Sequence, residues 1–166
     1  MTAPQRKAIV IGYGPVGQTV VRLLNGNGFS PVIVEMNVDT VQRLRAEGIV
    51  AHYGDASHSA TLHEADVEHA HILILSSSSV QQGREIIQEA KRMNPKIRVI
   101  ARTAYLREAD DLISAGADSV MSGEGEVALS MTENILESFG ATREQIERER
   151  ERIRREFFSV TEPAPV

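Results

Sequence analysis

Gly12, Gly14 and Gly17 stand in the pattern G-x-G-x-x-G, written out as Gly12-Tyr13-Gly14-Pro15-Val16-Gly17, and an acid, Glu35, follows eighteen residues after Gly17. That spacing suits recognition of a phosphate and a ribose. Gly12 lets the chain turn sharply out of a strand. Gly14 removes the side chain that would hold a phosphate away from the backbone, and Gly17 lets the next helix pack close to the sheet. The helix N-terminus then offers unpaired N–H groups and the positive end of its dipole. Pro15 fits the first helical turn, where its missing N–H is not needed. A carboxylate at Glu35 accepts both hydroxyls of an adenosine ribose and repels a 2′-phosphate, which disfavours NADP. Without that use, the same residues would be a tight structural turn and a solvated acid.

Other strand ends face the same crevice. Met36 follows Glu35 directly. Asp55 and Ala56, in Gly54-Asp55-Ala56, either border the adenine or serve a helix cap through Asp55; the two roles are compatible. Ser76 and Ser77 open a run of four serines, and Arg102 is a cation placed for phosphate or, failing that, a surface arginine. The residues expected to meet a nucleotide are thus Gly12, Tyr13, Gly14, Pro15, Val16, Gly17, Glu35, Met36, Asp55, Ala56, Ser76, Ser77 and Arg102. The five histidines (His52, His58, His63, His69, His71) have neither catalytic nor metal-ligand spacing, and no metal site is expected. Glu124 and Glu126 suit a helix start, where acids favour the dipole.

The elements that must position these residues alternate in type. Ala8–Ile11, Val32–Glu35, Val50–Tyr53, Ile72–Leu75, Arg98–Ala101 and Ser119–Met121 are short apolar or β-branched runs, the pattern of strands buried on both faces. Helical patterns lie between them: a segment through Val16–Leu24 that stops near Gly26 and Gly28, then Val38–Glu47, Val80–Met93, Leu106–Ala115 and Glu124–Ser138. Strand–helix alternation with short connections predicts an α/β fold. The expected form is a Rossmann-type doubly wound parallel six-stranded sheet, order 3-2-1-4-5-6. Residues 6–140 would form this domain, 141–158 a charged crossover helix and 159–166, with Pro163 and Pro165, a disordered tail. Ile135, Phe139, Ile146, Ile153 and Phe157 are spaced as an apolar heptad seam, with Gly140 expected to bend it. The charged helix would then exchange with a second subunit, pack on its own domain or be disordered.

Composition excludes several classes. With 166 residues the chain suits one domain. A net charge of -5 leaves no basic footprint, so nucleic acid is not an expected partner. With no cysteine, disulfides and thiol chemistry are excluded. No apolar run approaches the roughly 20 residues of a membrane-spanning helix. A cytoplasmic location is expected, with room for the chain to be the cytosolic part of something larger.

Val10-Ile11-Gly12-Tyr13-Gly14-Pro15-Val16-Gly17, Val34-Glu35, Tyr53-Gly54-Asp55-Ala56, Ile100-Ala101-Arg102 and Gly116-Ala117-Asp118 together resemble the regulator-of-potassium-conductance domain, also called TrkA-N or KTN. The resemblance covers roughly residues 6–140. Within that family the chain looks like the C-terminal cytosolic domains of Kef-type monovalent cation:proton antiporters of the YbaL-like branch. It implies a sensor, not an enzyme, which binds NAD(H) or an adenine nucleotide (AMP, ADP or ATP). It also implies a homodimer built through the helices after the sixth strand. The partner would be a membrane cation transporter, in cis or in trans, at the cytosolic face of the inner membrane. Carried over, Gly12, Gly14 and Gly17 meet phosphate, Glu35 the ribose, Asp55 and Ala56 the adenosine, and Arg102 the phosphate end. Pro15 departs from the Arg often found in Kef-type members, which makes a mononucleotide at least as expected as a dinucleotide. The smaller C-terminal ligand-binding domain of many relatives is not expected within this sequence. The alternatives are a small NAD-dependent oxidoreductase, which would need a substrate domain and an acid–base residue, and an interaction module that binds no nucleotide.

Overall fold

The computed structural model describes residues 6–77 and 79–157, with the side chain of Val80 left out. Six strands, β1 (Arg6–Ile11), β2 (Phe29–Glu35), β3 (Ala51–Tyr53), β4 (Ile72–Leu75), β5 (Arg98–Thr103) and β6 (Ser119–Ser122), form one sheet. All the pairings are parallel and the order is β3-β2-β1-β4-β5-β6. The helices are α1 (Pro15–Gly26), α2 (Val38–Ala46), α3 (Ser59–Glu64), α4 (Val80–Met93), α5 (Ala109–Ala115), α6 (Gly123–Ser138) and α7 (Arg143–Phe157). The expected Rossmann architecture is the observed one. Chain order reverses between β1 and β4, so a crevice opens there beyond the strands' carboxyl ends.

Alternation along the strands divides the core into two layers. From β1, Ile9 and Ile11 join Leu62, Ile86, Ile87 and Leu112, on α3, α4 and α5. Ala8 and Val10 face the other way, toward Val21 and Leu24 of α1 and Val41 and Leu44 of α2. Both layers bury the strand residues, which is why the strands read as continuous apolar runs.

Three local features differ from the sequence expectation. The strand β2 begins at Phe29 and runs through Pro31. Pro31 pairs only with β1, opposite Ala8, because β3 joins β2 only from Ile33 onward. A residue with no N–H is tolerated where one side of the strand has no neighbour. The segment between β3 and β4 holds α3 and a single 3₁₀ turn at Val67–His69; the sequence offered only a helix for Asp55 to cap, without bounds, and no 3₁₀ turn. With six residues, α3 is too short to show a helical period.

The third difference lies at the C-terminal end. Gly140 does not bend a continuing helix; it ends α6 and reverses the chain. Its φ is +73°, its N–H donates to the Glu137 carbonyl, and the Ala141 N–H donates to the Leu136 carbonyl. That double bond pattern is a Schellman cap. Thr142 then starts α7: its hydroxyl accepts from the Gln145 N–H while its own N–H donates to Gln145 Oε1. The heptad seam is therefore broken into two faces. Ile153 is buried and Ile146 and Phe157 are half-buried, whereas Ile135 and Phe139 are exposed. On the far arm, α7 lies against α6 of its own chain, where Arg150 pairs with Glu133 at 2.7 Å. Phe158 and the expected tail, 159–166, lie outside the described residues.

Candidate functional site

A cleft of about 360 Å³ lies at the carboxyl ends of the strands, at the β1/β4 reversal. Gly12, Tyr13, Gly14, Glu35, Met36, Ala56, Ser76, Ser77 and Arg102 all line it. Nine of the thirteen expected residues are thus brought together. Pro15, Val16 and Gly17 belong to the first turn of α1 instead, and Asp55 is not among the lining residues, although Gln82, which is, lies 3.3 Å from its Oδ1.

The glycine loop is built by contacts that need glycine at two places. Gly12 has φ +89°, in the left-handed region, and its N–H donates to the Val34 carbonyl at 2.9 Å. Gly17 is buried, and a Cβ there would stand 2.3 Å from the Gly12 carbonyl oxygen. Gly14 differs: a Cβ on it would meet nothing within 4 Å. Its missing side chain leaves space toward the cleft, next to the start of α1, where Pro15 spends no donor.

Glu35 is tied directly to this loop. Its Oε2 accepts the Tyr13 N–H at 2.9 Å, and its Oε1 accepts the Asn37 N–H at 2.9 Å. Each carboxylate oxygen keeps a second acceptor position. The carboxylate is therefore oriented before any ligand arrives, and two ribose hydroxyls could donate to it.

On the other side, Ser76 is buried and holds the loop from behind. Its hydroxyl lies 2.8 Å from the Ile11 carbonyl and 3.0 Å from that of Gly12, one proton shared between two acceptors. This employment makes Ser76 a support of the glycine loop more than a free ligand donor. Arg102, from β5, reaches across and donates from Nη1 to the Ser76 carbonyl at 3.0 Å. Its remaining guanidinium N–H groups have no partner among the described residues, and they supply the positive charge of this half of the cleft.

Asp55 does not cap α3, whose N-cap is His58 without a side-chain hydrogen bond. Its Oδ1 instead accepts the Ser57 N–H at 2.8 Å and the Ser57 hydroxyl at 2.7 Å. The Ser57 N–H bond, then the hydroxyl, hold the Asp55 carboxyl below the usual carboxylate range, with smaller help from Gln82 and His58. Gln82 and Ile86, both on α4, line the cleft and were missed from the sequence. The signal available was their helical spacing of four at the start of the helix that follows the switch-point strand. Among the described residues there is no group of three His, Asp or Glu side chains able to hold a metal.

A glycine loop, an oriented carboxylate and a cation around a switch-point crevice define a Rossmann-type α/β domain. The model of the TrkA-N domain matches residues 8–123, and the chain belongs to that family. It is 34% identical over 131 residues to the putative cation/proton antiporter YbaL of Escherichia coli K12; this covers 79% of the chain and 23% of YbaL. The chain thus spans about a quarter of the length of that relative. The crystal structure of the TrkA-N domain of the E. coli inner membrane protein YbaL superposes with a TM-score of 0.75 at 33% identity, covering 77% of this chain and 95% of that one. The Kef C-terminal domain of Shewanella denitrificans, in an AMP-bound form, gives 0.78 at 23% identity, covering 91% and 92%. The GsuK channel bound to NAD gives 0.64 at 22%, covering 70% and 21%. At those last two identities the likeness is one of fold. No helix among the described residues is long and apolar enough to cross a membrane.

Proposed function

We propose that this chain is a nucleotide-sensing regulatory domain of a cation transport system, an antiporter of the cation:proton type. The ligand is an adenine nucleotide (AMP, ADP or ATP) or NAD(H). The observation that carries the reading is the Glu35 carboxylate, held by the Tyr13 and Asn37 N–H groups beside the glycine loop and across the cleft from Arg102. Glu35 takes the ribose, Gly12 and Gly14 the phosphate, Met36 and Ala56 the adenosine side, and Arg102 the phosphate end. The AMP- and NAD-bound states of the related folds support the ligand class. A mononucleotide suits the cleft at least as well as a dinucleotide, because Pro15 adds no cation for a second phosphate.

The reading is non-catalytic. Two polar side chains of the cleft are engaged in holding backbone: Ser76 on Ile11 and Gly12, Glu35 on Tyr13 and Asn37. Neither is paired with another as an acid–base couple. Residues 6–140 act as the sensing unit and 141–158 as the dimerisation helix, with the exposed face of α6 beside it. Along α6 and its C-cap, Val127, Met131, Ile135 and Phe139 recur every four residues and are 59%, 60%, 52% and 85% exposed. Such a stripe on one helix face suits a second copy of the chain. The start of α6 lies against the end of β5, where Glu124 N–H donates to the Ala104 carbonyl, two residues after Arg102. Ligand at Arg102 would therefore favour one setting of α6, and so one dimer arrangement, which biases the transporter at the cytosolic face of the inner membrane.

The test is thermal shift of the purified chain with AMP, ADP, ATP, NAD, NADH and NADP. A ligand at 100 times its dissociation constant should stabilise by about 2.7 kcal/mol. NADP should bind less well than NAD. No shift with any of the six overturns the reading.

A further inference from the structure

One side chain in the cleft has no place in the phosphate and ribose contacts above. Gln82 stands on the first turn of α4 and crosses the crevice. Its Nε2 lies 3.3 Å from Asp55 Oδ1, after β3, and 3.6 Å from Met36 Sδ, after β2. It is half-buried and lines the cleft beside Met36, Gly54 and Ala56. These neighbours follow the strand that ends in Glu35 and its edge neighbour β3. Gln82 therefore reaches the β2–β3 side of the cleft, away from the glycine loop that follows β1, where the base of a bound nucleotide would lie.

The orientation of its amide follows from chemistry. Asp55 is a carboxylate with no proton to donate, so the Gln82 NH₂ faces it and Oε1 is turned to the other side. Asp55 Oδ1 already accepts two bonds from Ser57, which fixes the Asp55 end of the bridge. Among the described residues Oε1 has no hydrogen-bond partner. The base end of the cleft thus presents an unpaired carbonyl acceptor on a side chain anchored at its other atom.

We propose that Gln82 is the residue that reads the base, selecting a purine whose 6-position donates a hydrogen bond over one whose 6-position accepts. It rests on the nucleotide-binding reading above. An adenine amino group donates to Oε1, whereas a 6-oxo group meets it oxygen to oxygen. The Asp55 anchor makes this discrimination stiff, because turning the amide over would set its oxygen against the Asp55 carboxylate.

AMP and IMP are the probes; they differ in the 6-amino against the 6-oxo group and in N1, an acceptor in adenine and an N–H in hypoxanthine. Wild-type chain, Gln82→Leu and Gln82→Ala are titrated with each by calorimetry, with circular dichroism to check the fold. Wild type should favour AMP over IMP by about tenfold or more, the scale of one satisfied against one opposed buried acceptor. Both variants should lose AMP affinity and keep or gain IMP affinity, so that the preference falls to within about threefold. The two variants guard against loss of fold in either one, since only one folded variant is needed for the reading. Equal wild-type binding of AMP and IMP overturns the assignment while leaving the nucleotide site standing. A preference that survives in a folded variant also overturns it. Wild type that binds neither probe, nor any other adenine nucleotide, overturns this inference and the site reading together.

Discussion

Gly17 packs so closely on Gly12 that a Cβ at Gly17 would lie 2.3 Å from the Gly12 carbonyl oxygen. The obstacle is backbone, which cannot swing away as a flexible side chain would. Gly17→Ala should cost about 1–3 kcal/mol of stability, as overpacked sites do. Gly14→Ala should fold within about 1 kcal/mol of wild type, since its φ of -73° suits any residue and a Cβ meets nothing. Yet that methyl group would stand where phosphate approaches. The Gly14 variant should lose about tenfold or more in AMP affinity, a 1.4 kcal/mol effect. Urea denaturation and calorimetric titration of both variants check the division. A Gly17 variant as stable as wild type would contradict the contact.

Glu35→Ala removes the acceptor of two backbone N–H groups and the proposed ribose contact at once. Adenosine nucleotides should weaken by about tenfold or more, and the loop should lose about 1–2 kcal/mol. Glu35→Gln keeps the size but turns an NH₂ toward one of the two N–H donors. It should show an intermediate loss. If AMP affinity is unchanged in the Ala variant, the ribose role is excluded.

The exposed stripe on α6 predicts a dimer that one charge can break. Ile135 is 52% exposed, so Ile135→Glu removes little packing within the chain. Light scattering should show a dimer for wild type and a monomer for the variant, with the melting of the isolated fold little changed. A monomeric wild type at tens of micromolar would leave the stripe without its proposed occupant.

Much of this was legible in the sequence because each signal is local. The strand β1 is apolar at every position from Ala8 to Ile11, as two buried faces require, and the glycine spacing is read within six residues. Gln82 was not legible. Its place in the cleft comes from a meeting of α4 with the ends of β2 and β3, and Asp55 lies 27 residues away. The heptad seam misled for a related reason. Counting sevens assumes one continuous helix, and Gly140 reverses the chain, so that Ile135 and Ile153 no longer share a face. Asp55 looked like a cap by type, yet the chain makes its turn through Ser57 before α3 begins.

At the opposite end of the sheet Asp66 gives a pH test independent of ligand. Its carboxylate bonds His69 Nδ1 at 2.5 Å and Lys7 Nζ, and these two bonds, His69 first, hold it below its ordinary value of 3.8. A carboxyl lowered in the folded state contributes stability above the unfolded value and loses it as pH falls through the folded one. The site is 40% exposed, so the contribution is below about 1 kcal/mol. Asp66→Asn keeps a side chain tolerated at its φ of 60°. The variant should be less stable than wild type at pH 6, and the gap should close as pH drops below 3.8. A gap that stays constant to pH 3 would show that the charge plays no part. AMP affinity should not change.

Arg102 provides the sharpest separation of ligand contact from support. One N–H of its guanidinium holds the Ser76 carbonyl, and Ser76 in turn braces the glycine loop. A purely structural arginine would, when replaced, loosen the loop and weaken every nucleoside ligand alike. A phosphate contact would weaken only ligands that carry phosphate. Arg102→Gln is the suitable variant, because its amide can still donate toward Ser76 while the charge is gone. AMP affinity should fall by about tenfold or more, in keeping with a hydrogen bond between charged groups. Adenosine, which lacks the phosphate, should bind the variant and wild type equally. The salt dependence of AMP binding should also flatten, since one charge pair has been removed. Parallel losses for AMP and adenosine would assign Arg102 to the scaffold and leave the phosphate to the backbone of the glycine loop alone.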